Sequence, residues 1–130
     1  MPEKFPALRV LVVDDEPLIR WSLTETLVDY GCDVVEAGDG PSAIKAASGG
    51  AGTFDIVLLD LRLPDSNGLE LLCALRRLAP RAQVILMTAF GAPRIMQAAL
   101  DLGVFRVVSK PFEISELVAL IREAHRSRPF

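Results

Sequence analysis

No stretch of the sequence approaches the ~18 consecutive apolar residues that a membrane-spanning helix needs. A secretory signal peptide is lacking too. The first segment, MPEKFPA, carries an early acid and two prolines, and the apolar run LRVLVV that follows contains an arginine and precedes two aspartates. These absences favour a cytoplasmic location.

Cysteine and histidine are scarce. The two cysteines, Cys32 and Cys73, do not have the spacing of metal ligands, and we interpret them as free thiols of a reducing cytosol. The single histidine, His125, lies near the C-terminus, where a solvated residue at a helix end is expected. A catalytic triad built on histidine therefore has no support.

Runs of basic residues are also missing, and the net charge of −3 counts against non-specific binding to nucleic acid. The composition, with 51% hydrophobic and 24% charged residues in a chain of 130, is typical of a folded domain. We therefore expect a single domain over residues 1–130, in which residues 126–130 form a tail or the start of a linker.

Five apolar segments rich in valine and isoleucine predict β-strands. Three of them are nearly continuous in apolar character, as in strands that are covered on both faces. The segments are 8–13, 32–37, 55–60, 83–88 and 105–109.

Helical patterns alternate with these strands. Apolar residues at helical spacing are Gly68, Leu71, Leu72, Leu75 and Leu78 in one segment and Ile114, Leu117, Val118 and Ile121 in another. Helix starts are indicated by Pro17, Pro41 and Pro93, and helix ends by Gly31 and Gly103. The order (βα)5 predicts an α/β fold, a doubly wound, flavodoxin-like parallel sheet with strand order 2-1-3-4-5.

Chemically active side chains stand where four of the predicted strands end. They are Asp14, Asp15 and Glu16 after the first strand, Asp60 at the end of the third, Thr88 at the end of the fourth, and Ser109 and Lys110 at the end of the fifth. Ligands of such sheets bind beyond the carboxyl ends of the strands, so we expect these side chains to converge on one crevice.

Electrostatics predicts a metal ion in this crevice. Two carboxylates ~4 Å apart repel each other by roughly 4 kcal/mol at an effective dielectric constant of ~20. Lys110 offsets one charge, and a hard divalent ion, Mg2+ or Mn2+, suits the remaining oxygen ligands. A metal, a lysine, a hydroxyl and a carboxylate nucleophile are the parts that phosphoryl transfer needs. Asp60 is the favoured nucleophile because its strand is central.

These residues resemble the receiver domain of two-component response regulators. The matching motifs are VVDDEP, DIVLLDLRLPDSNGLELL, VILMTA and SKPF, and the likeness covers about residues 7–125. The resemblance implies a domain that is not a turnover enzyme but accepts a phosphoryl group on Asp60. The donor would be a sensor histidine kinase, a phosphotransfer protein or a small acyl phosphate.

The resemblance also implies how the domain signals. The face made by the fourth helix, the fifth strand and the fifth helix would change on phosphorylation and contact an output domain or partner, or form a homodimer. The domain itself would contact neither nucleic acid nor a membrane.

Roles for the metal ligands follow from the same resemblance. Asp15, Asp60 and the backbone carbonyl of Arg62 would ligate Mg2+ directly, while Asp14 would act mostly through water. Other roles concern the phosphoryl group. Thr88 and Lys110 would contact it, Ala89 would be its small neighbour, and the bond between Lys110 and Pro111 would be cis.

One position departs from the family pattern. Val107 stands where the family usually has an aromatic residue that turns inward with the threonine. Phe105 lies two residues earlier, so alternation along the strand would place it on the same face. We hypothesise that Phe105 substitutes for the missing ring; the simpler alternative is that Phe105 belongs to the core.

Two further residues should flank the phosphoryl group. Arg62 lies two residues after the acceptor and Phe90 two residues after the threonine. Arg62 would pair with phosphoryl oxygens and Phe90 would block attacking water, which predicts slow autodephosphorylation. Alternatively, both are ordinary loop residues.

Three other functions remain as alternatives. A phosphatase of the haloacid-dehalogenase type would need Asp-x-Asp-x-Thr after the first strand, where this chain has DDEPL. A flavin or nucleotide binder would need a phosphate-binding loop at the same place, where acids stand instead. A pseudo-receiver that binds partners without phosphorylation is the third, although every acid of the motif is present.

Overall fold

The computed structural model describes residues 5–49, 53–61, 68–88 and 93–127. Five strands alternate with five helices along the described chain. The strands are β1 (Arg9–Val13), β2 (Asp33–Ala37), β3 (Ile56–Asp60), β4 (Gln83–Thr88) and β5 (Arg106–Ser109). The helices are α1 (Pro17–Asp29), α2 (Gly40–Ser48), α3 (Gly68–Leu78), α4 (Pro93–Asp101) and α5 (Ile114–Arg126).

The strands form one parallel sheet in the order β2-β1-β3-β4-β5, which confirms the predicted topology. All residues of β3 are buried, because this strand lies at the centre of the sheet and is covered on both faces. A continuous apolar run in the sequence is the expected consequence.

Two hydrophobic clusters cover the two faces of the sheet. One packs buried residues of α2, α3 and α4 against the sheet, and the other packs buried residues of α1 and α5 against the opposite face. Alternate residues of each central strand contribute to the two clusters, as in β3, where Val57 and Leu59 face one cluster and Ile56 and Leu58 the other.

Local sequence signals set several helix boundaries. Pro17 and Pro41 lie in the first turns of α1 and α2, where a missing N–H costs no helical hydrogen bond. The side chain of Ser42, and after it the Ser42 N–H, donate hydrogen bonds to the carboxylate of Asp39, and both lower the pKa of the Asp39 carboxyl. The bond from the Ser42 N–H, at 2.8 Å, caps α2. Gly31 has a positive φ of 92°, as expected of a glycine that ends a helix.

The structure modifies the sequence-based boundaries in small ways. Four strands begin one residue later than predicted, and only β4 matches its segment. In α3 the predicted apolar residues are buried except Leu78, which is 40% exposed because it lies at the end of the helix. No helix within the described residues is long and apolar enough to cross a membrane.

Candidate functional site

The carboxyl ends of the strands bring the predicted residues to one edge of the sheet. Asp60 and Thr88 are the last residues of β3 and β4, and both are buried. Asp14 directly follows β1 and is also buried, while Lys110 directly follows β5. Neighbouring parallel strands thus place an acid, a hydroxyl and an amine on the same rim.

The ammonium of Lys110 is shared by three carboxylates. Its Nζ lies 2.9 Å from Asp14 Oδ2, 3.2 Å from Asp60 Oδ2 and 3.3 Å from Glu16 Oε1. Asp14 and Lys110 are 96 positions apart in the sequence, so only the parallel sheet brings them together. The predicted contact between Lys110 and the acids is therefore present in the structure.

The pKa of Lys110 reflects two opposing influences. Burial lowers the pKa of this amine, since desolvation disfavours the charged form, but hydrogen bonds and charges from Asp14 and Asp60 outweigh burial and raise it above its usual value. Lys110 is therefore a permanent cation at neutral pH.

Asp14 is held by its side chain and its main chain. Its Oδ1 accepts a hydrogen bond from the Glu16 N–H at 2.9 Å, while its Oδ2 faces Lys110. Its own N–H donates to the carbonyl of Ala37 at the end of β2, at 3.1 Å. Both carboxylate oxygens of Asp14 are thus engaged, and the residue acts as a fixed part of the rim.

Four carboxylates of this rim form a candidate cation site. Asp14, Asp15, Glu16 and Asp60 each offer an oxygen, and these oxygens lie within 4.8 Å of one another. Asp15 and Glu16 are exposed while Asp14 and Asp60 are buried. One ammonium cannot neutralise four carboxylates, and hard oxygen donors suit Mg2+. The donor set therefore fits the magnesium ion that the sequence predicted.

Two loops of the site are tied to β4. The Lys110 N–H donates to the Thr88 carbonyl at 2.7 Å, and the Leu61 N–H donates to the Met87 carbonyl at 2.9 Å. The bond between Lys110 and Pro111 is cis, as the resemblance implied. Three predicted site residues, Arg62, Ala89 and Phe90, lie outside the described residues, so their predicted roles stay predictions.

Two further residues contribute to the site, Glu16 and Arg20; the sequence pattern placed Glu16 at the end of the first strand without giving it a role, and it did not indicate Arg20. Glu16 follows the two aspartates directly, and its carboxylate joins both the acid cluster and the contacts of Lys110. Arg20 lies one helical turn after Glu16 and donates from Nη1 to the carbonyl of Asp14 at 2.7 Å. Adjacency to the paired aspartates was a usable signal for Glu16, whereas nothing in the sequence marks the contact of Arg20.

The expected shared face of Phe105 and Val107 is wrong. Phe105 precedes β5 and packs against the cluster of α1 and α5, whereas Val107 packs against the opposite cluster. Strand alternation does not apply to Phe105, because the strand begins at Arg106, whose guanidinium lies over the Phe105 ring at 4.7 Å. Phe105 also lies at the end of β5 that is distant from Thr88. The observed packing matches the alternative that Phe105 is a core residue.

An apolar groove of about 680 Å³ opens beside the rim. It runs between the start of α1 and the segment that links β5 to α5. Its lining residues are Glu16, Leu18, Ile19, Ser22, Leu23, Lys110, Pro111, Phe112 and Ile114. Glu16, a member of the acid cluster, and Lys110, which contacts three of its carboxylates, therefore also line the groove.

Comparison with known protein families assigns the chain to a family and agrees with the fold. Residues 10–122 match the family model described as the response regulator receiver domain. The chain belongs to this family. Receiver domains of this family are components of two-component signalling and are not classical enzymes.

Curated relatives of this receiver domain are bacterial regulators. The transcriptional regulatory protein TcrA of Mycobacterium tuberculosis is 38% identical over 122 residues, which cover 94% of this chain and 47% of the relative. The nitrate/nitrite response regulator protein NarP of Escherichia coli is 40% identical over 124 residues, covering 94% and 56% of the two chains. This chain thus spans about half the length of these relatives.

Solved structures agree with the assignment. A CheY-like response regulator receiver domain protein from Methanospirillum hungatei has a TM-score of 0.87 at 26% identity, covering 93% of this chain and 95% of that chain. A response regulator protein from Burkholderia pseudomallei, solved with a phosphorylated aspartic acid, a calcium ion and citrate, has a TM-score of 0.82 at 26% identity. The match covers 92% of this chain and 69% of that one.

Proposed function

We propose that this receiver domain accepts a phosphoryl group on the carboxylate of Asp60. The observation that carries the proposal is the position of Asp60, buried at the end of the central strand, with its Oδ2 3.2 Å from the Lys110 ammonium and within the cluster of acids. Asp14 is the less suitable acceptor because both of its carboxylate oxygens are already engaged by neighbouring groups.

The proposed reaction is an in-line transfer. An oxygen of Asp60 attacks phosphorus, the bond from phosphorus to the donor atom breaks, and the donor leaves with the bonding electrons. For a phosphohistidine donor the leaving atom is a ring nitrogen. Asp15, Asp60 and the Arg62 carbonyl would hold Mg2+, with Asp14 contributing through water. When bound, Mg2+ offsets the charge of the carboxylates and the phosphoryl oxygens.

The product changes the charge balance at the rim. An aspartyl phosphate carries more charge than a carboxylate and offers more acceptor oxygens. The Lys110 ammonium would move from its three carboxylates to the phosphoryl oxygens, and the Thr88 hydroxyl would donate to another. Thr88 pairs with Ser109 at the end of β5, and Val107 lies two residues before Ser109. Val107 and the small residue Ala89 would have to accommodate the movement of Thr88.

The proposed partners are a sensor histidine kinase or a phosphotransfer protein as the donor and an output domain or partner as the receiver of the signal, all in the cytoplasm. The output face would be α4, β5 and α5. Exposed apolar side chains at its edge, Ile95, Leu100 and Leu102, support this use, and they also suit a homodimer of activated domains. Nucleic-acid contact would belong to an output domain.

A mass measurement tests the chemistry. The parent protein and Asp60→Asn are incubated with acetyl phosphate and Mg2+, and again with excess EDTA. We expect the parent alone to gain one phosphoryl group, and only when Mg2+ is present. A parent that gains no mass while it still binds a protein partner would indicate a pseudo-receiver, and continued hydrolysis of a phosphate ester would indicate a phosphatase.

The lifetime of the phosphoryl group is predicted to depend on Phe90 and Arg62. If the Phe90 ring blocks attacking water, Phe90→Ala should lose phosphate faster than the parent, by about tenfold for a loss of ~1.4 kcal/mol from the barrier. The decay of the phosphorylated mass peak after removal of acetyl phosphate measures this rate. Equal decay in the two proteins would assign Phe90 an ordinary loop role.

A further inference from the structure

The peptide group between Asp14 and Asp15 is fixed by a side chain from α1. The Asp14 carbonyl accepts a hydrogen bond from Arg20 Nη1 at 2.7 Å, shorter than the bonds from Lys110 to the three carboxylates. On the other side, the Asp14 N–H donates to the carbonyl of Ala37 at 3.1 Å. The main chain of Asp14 is therefore hydrogen-bonded on both sides at the point where the chain leaves β1 and enters the acid cluster.

Arg20 is itself held in place. Its Nε lies 3.1 Å from Oε1 of Glu36 on β2, and its side chain is only 23% exposed. Gly38 leaves room for the guanidinium, since a β-carbon at that position would lie 3.1 Å from Nη1. One planar cation on α1 thus bonds to Glu36 within β2 and to Asp14, the residue after β1, and its fork geometry allows these two directed hydrogen bonds at once.

The orientation of this peptide group matters for the next residue. The Asp14 carbonyl and the Asp15 N–H belong to one rigid peptide plane. Fixing the carbonyl therefore fixes the direction in which Asp15 leaves the strand. Asp15 is the exposed carboxylate beside the buried pair of Asp14 and Asp60, and its oxygen lies within 4.8 Å of theirs.

We propose that Arg20 is a positioning residue that orients the Asp14–Asp15 peptide group, so that the carboxylate of Asp15 is directed toward a divalent cation. The inference rests on the function proposed above. Arg20 touches neither Asp60 nor the phosphoryl group in this scheme; it acts through the main chain. Its removal should weaken metal binding and leave the transfer step itself intact.

If Arg20 acted only through its charge, the predicted change in metal affinity would have the opposite sign, so the experiment can distinguish the two roles. A guanidinium near a cation site repels the cation, so Arg20→Gln would tighten metal binding if Arg20 acted through its charge. Glu36→Gln would then weaken it, because an attractive carboxylate is lost. If Arg20 acts by positioning, the signs differ: Arg20→Gln weakens binding, and Glu36→Gln, which keeps the bond to Asp14, has little effect.

The experiment measures Mn2+ binding by electron paramagnetic resonance with no phosphoryl donor present. We expect Arg20→Gln to raise the Kd about tenfold, as for other groups that orient metal ligands. Glu36→Gln and the control Arg9→Gln should stay within about twofold of the parent, as is usual for exposed ion pairs. Arg9 of β1 pairs with Asp33 of β2 at 3.3 Å, at the ends of these strands that are distant from Asp14.

Several outcomes would overturn the inference. They are tighter or unchanged binding by Arg20→Gln, equal weakening by Arg9→Gln, or a parent that binds no Mn2+. Thermal unfolding of each variant checks that it is folded. Phosphorylation by acetyl phosphate adds a second readout: Arg20→Gln should be slow at limiting Mg2+ and regain the parent rate at saturating Mg2+. A parent that binds Mn2+ but gains no phosphoryl group would reject the proposed function and leave the role of Arg20 standing.

Discussion

Asp60 illustrates how a side chain can be placed for chemistry at a cost to stability. Its carboxylate is buried and shares the Lys110 ammonium with Asp14 and Glu16. The attraction within a buried ion pair offsets the free energy cost of desolvating its two charges only partly. When several carboxylates surround one cation, their mutual repulsion reduces this gain further. The domain without a bound cation is therefore expected to be strained electrostatically at Asp60.

The variant Asp60→Asn should consequently be more stable than the parent when no divalent ion is present. It keeps the shape of the side chain, removes one negative charge and leaves Lys110 its 2.9 Å contact with Asp14. We expect a gain of about 1–2 kcal/mol in the free energy of unfolding, measured by urea denaturation in EDTA. The control is Asp33→Asn, whose side chain is 71% exposed and whose effect should be within ~0.5 kcal/mol. A less stable Asp60→Asn would contradict this account.

Cys32 gives a prediction about alkaline pH. Burial, followed by the nearby charge of Asp55, raises the pKa of its thiol to about 11 from a usual value of 9.0. The folded protein therefore keeps the thiol proton at a pH where the unfolded chain has lost it, so the stabilisation is complete below pH 9.0 and is lost as pH rises toward about 11.

The difference in unfolding free energy between the parent and Cys32→Ala should accordingly shrink across this range of pH. Urea denaturation of both proteins at several pH values measures it, and the subtraction removes titrations that the two proteins share. A difference that is constant with pH would show that the Cys32 thiol is not protected by folding.

The residues of the site differ in how far the sequence could predict them. Asp14, Asp60, Thr88 and Lys110 stand at strand ends, and parallel pairing brings strand ends together whatever the helices do. Arg20 could not be found in this way, because its role depends on the rotamer of a long side chain and on the space above Gly38.

At the scale of elements, α3 begins at a close approach that only glycine permits. A β-carbon on Gly68 would collide with the backbone carbonyl and the side chain of Leu61, which continues directly from β3. The backbone of a buried strand end cannot move aside easily, so the collision has to be relieved by displacement of α3. Because Leu71, Leu72 and Leu75 of α3 belong to the hydrophobic cluster on one face of the sheet, this displacement would disturb the core.

Gly68→Ala should destabilise the domain by about 1–3 kcal/mol, as other overpacking substitutions do. The matched control is Gly49→Ala at the end of α2, where a β-carbon would make only ordinary contacts with Lys45 and Ala46 and where φ is −75°. Urea denaturation compares the two variants with the parent. Equal effects of both substitutions would show that the approach of Leu61 is not what requires the glycine.

Elements were predicted well where periodicity is strong and poorly at their edges. The buried residues Leu71, Leu72 and Leu75 of α3 follow the helical spacing of the sequence. Phe105 shows the limit, since a boundary shifted by one residue removed it from β5 and reversed the face on which it packs. Alternation assigns faces only inside a strand, and the sequence alone does not locate the first residue with that accuracy.

At the scale of the molecule, the outer surface of α1 is unusually apolar. Leu18 is 73% exposed, Trp21 58% and Val28 53%, while Leu23 and Leu27 on the other side of the helix are buried. Leu18 also lines the groove beside the acid rim. Under the proposed function, a protein that donates a phosphoryl group to Asp60 would contact this surface, whereas a small acyl phosphate would not need the groove.

Leu18→Glu should therefore separate two kinds of donor. Transfer from a histidine kinase that phosphorylates the parent should fall about tenfold, as expected for loss of an apolar interface contact worth ~1.4 kcal/mol. Phosphorylation by acetyl phosphate should stay within about twofold, and stability within ~0.5 kcal/mol, because the side chain is exposed. Val28→Glu, on the same helix but outside the groove, is the control. A loss of both reactions would mean that Leu18→Glu damages the acid site itself.

Glu16 and Lys110 belong both to the rim and to the lining of the groove, and this has a thermodynamic consequence. A protein bound in the groove would alter the surroundings of the Lys110 ammonium, which also contacts Asp60. Binding in the groove and phosphorylation of Asp60 would therefore share one coupling free energy. Such coupling is reciprocal. If a docked protein favours phosphorylation of Asp60, phosphorylation must raise the affinity for that protein by the same factor. If it favours the unphosphorylated carboxylate, phosphorylation must lower that affinity by the same factor.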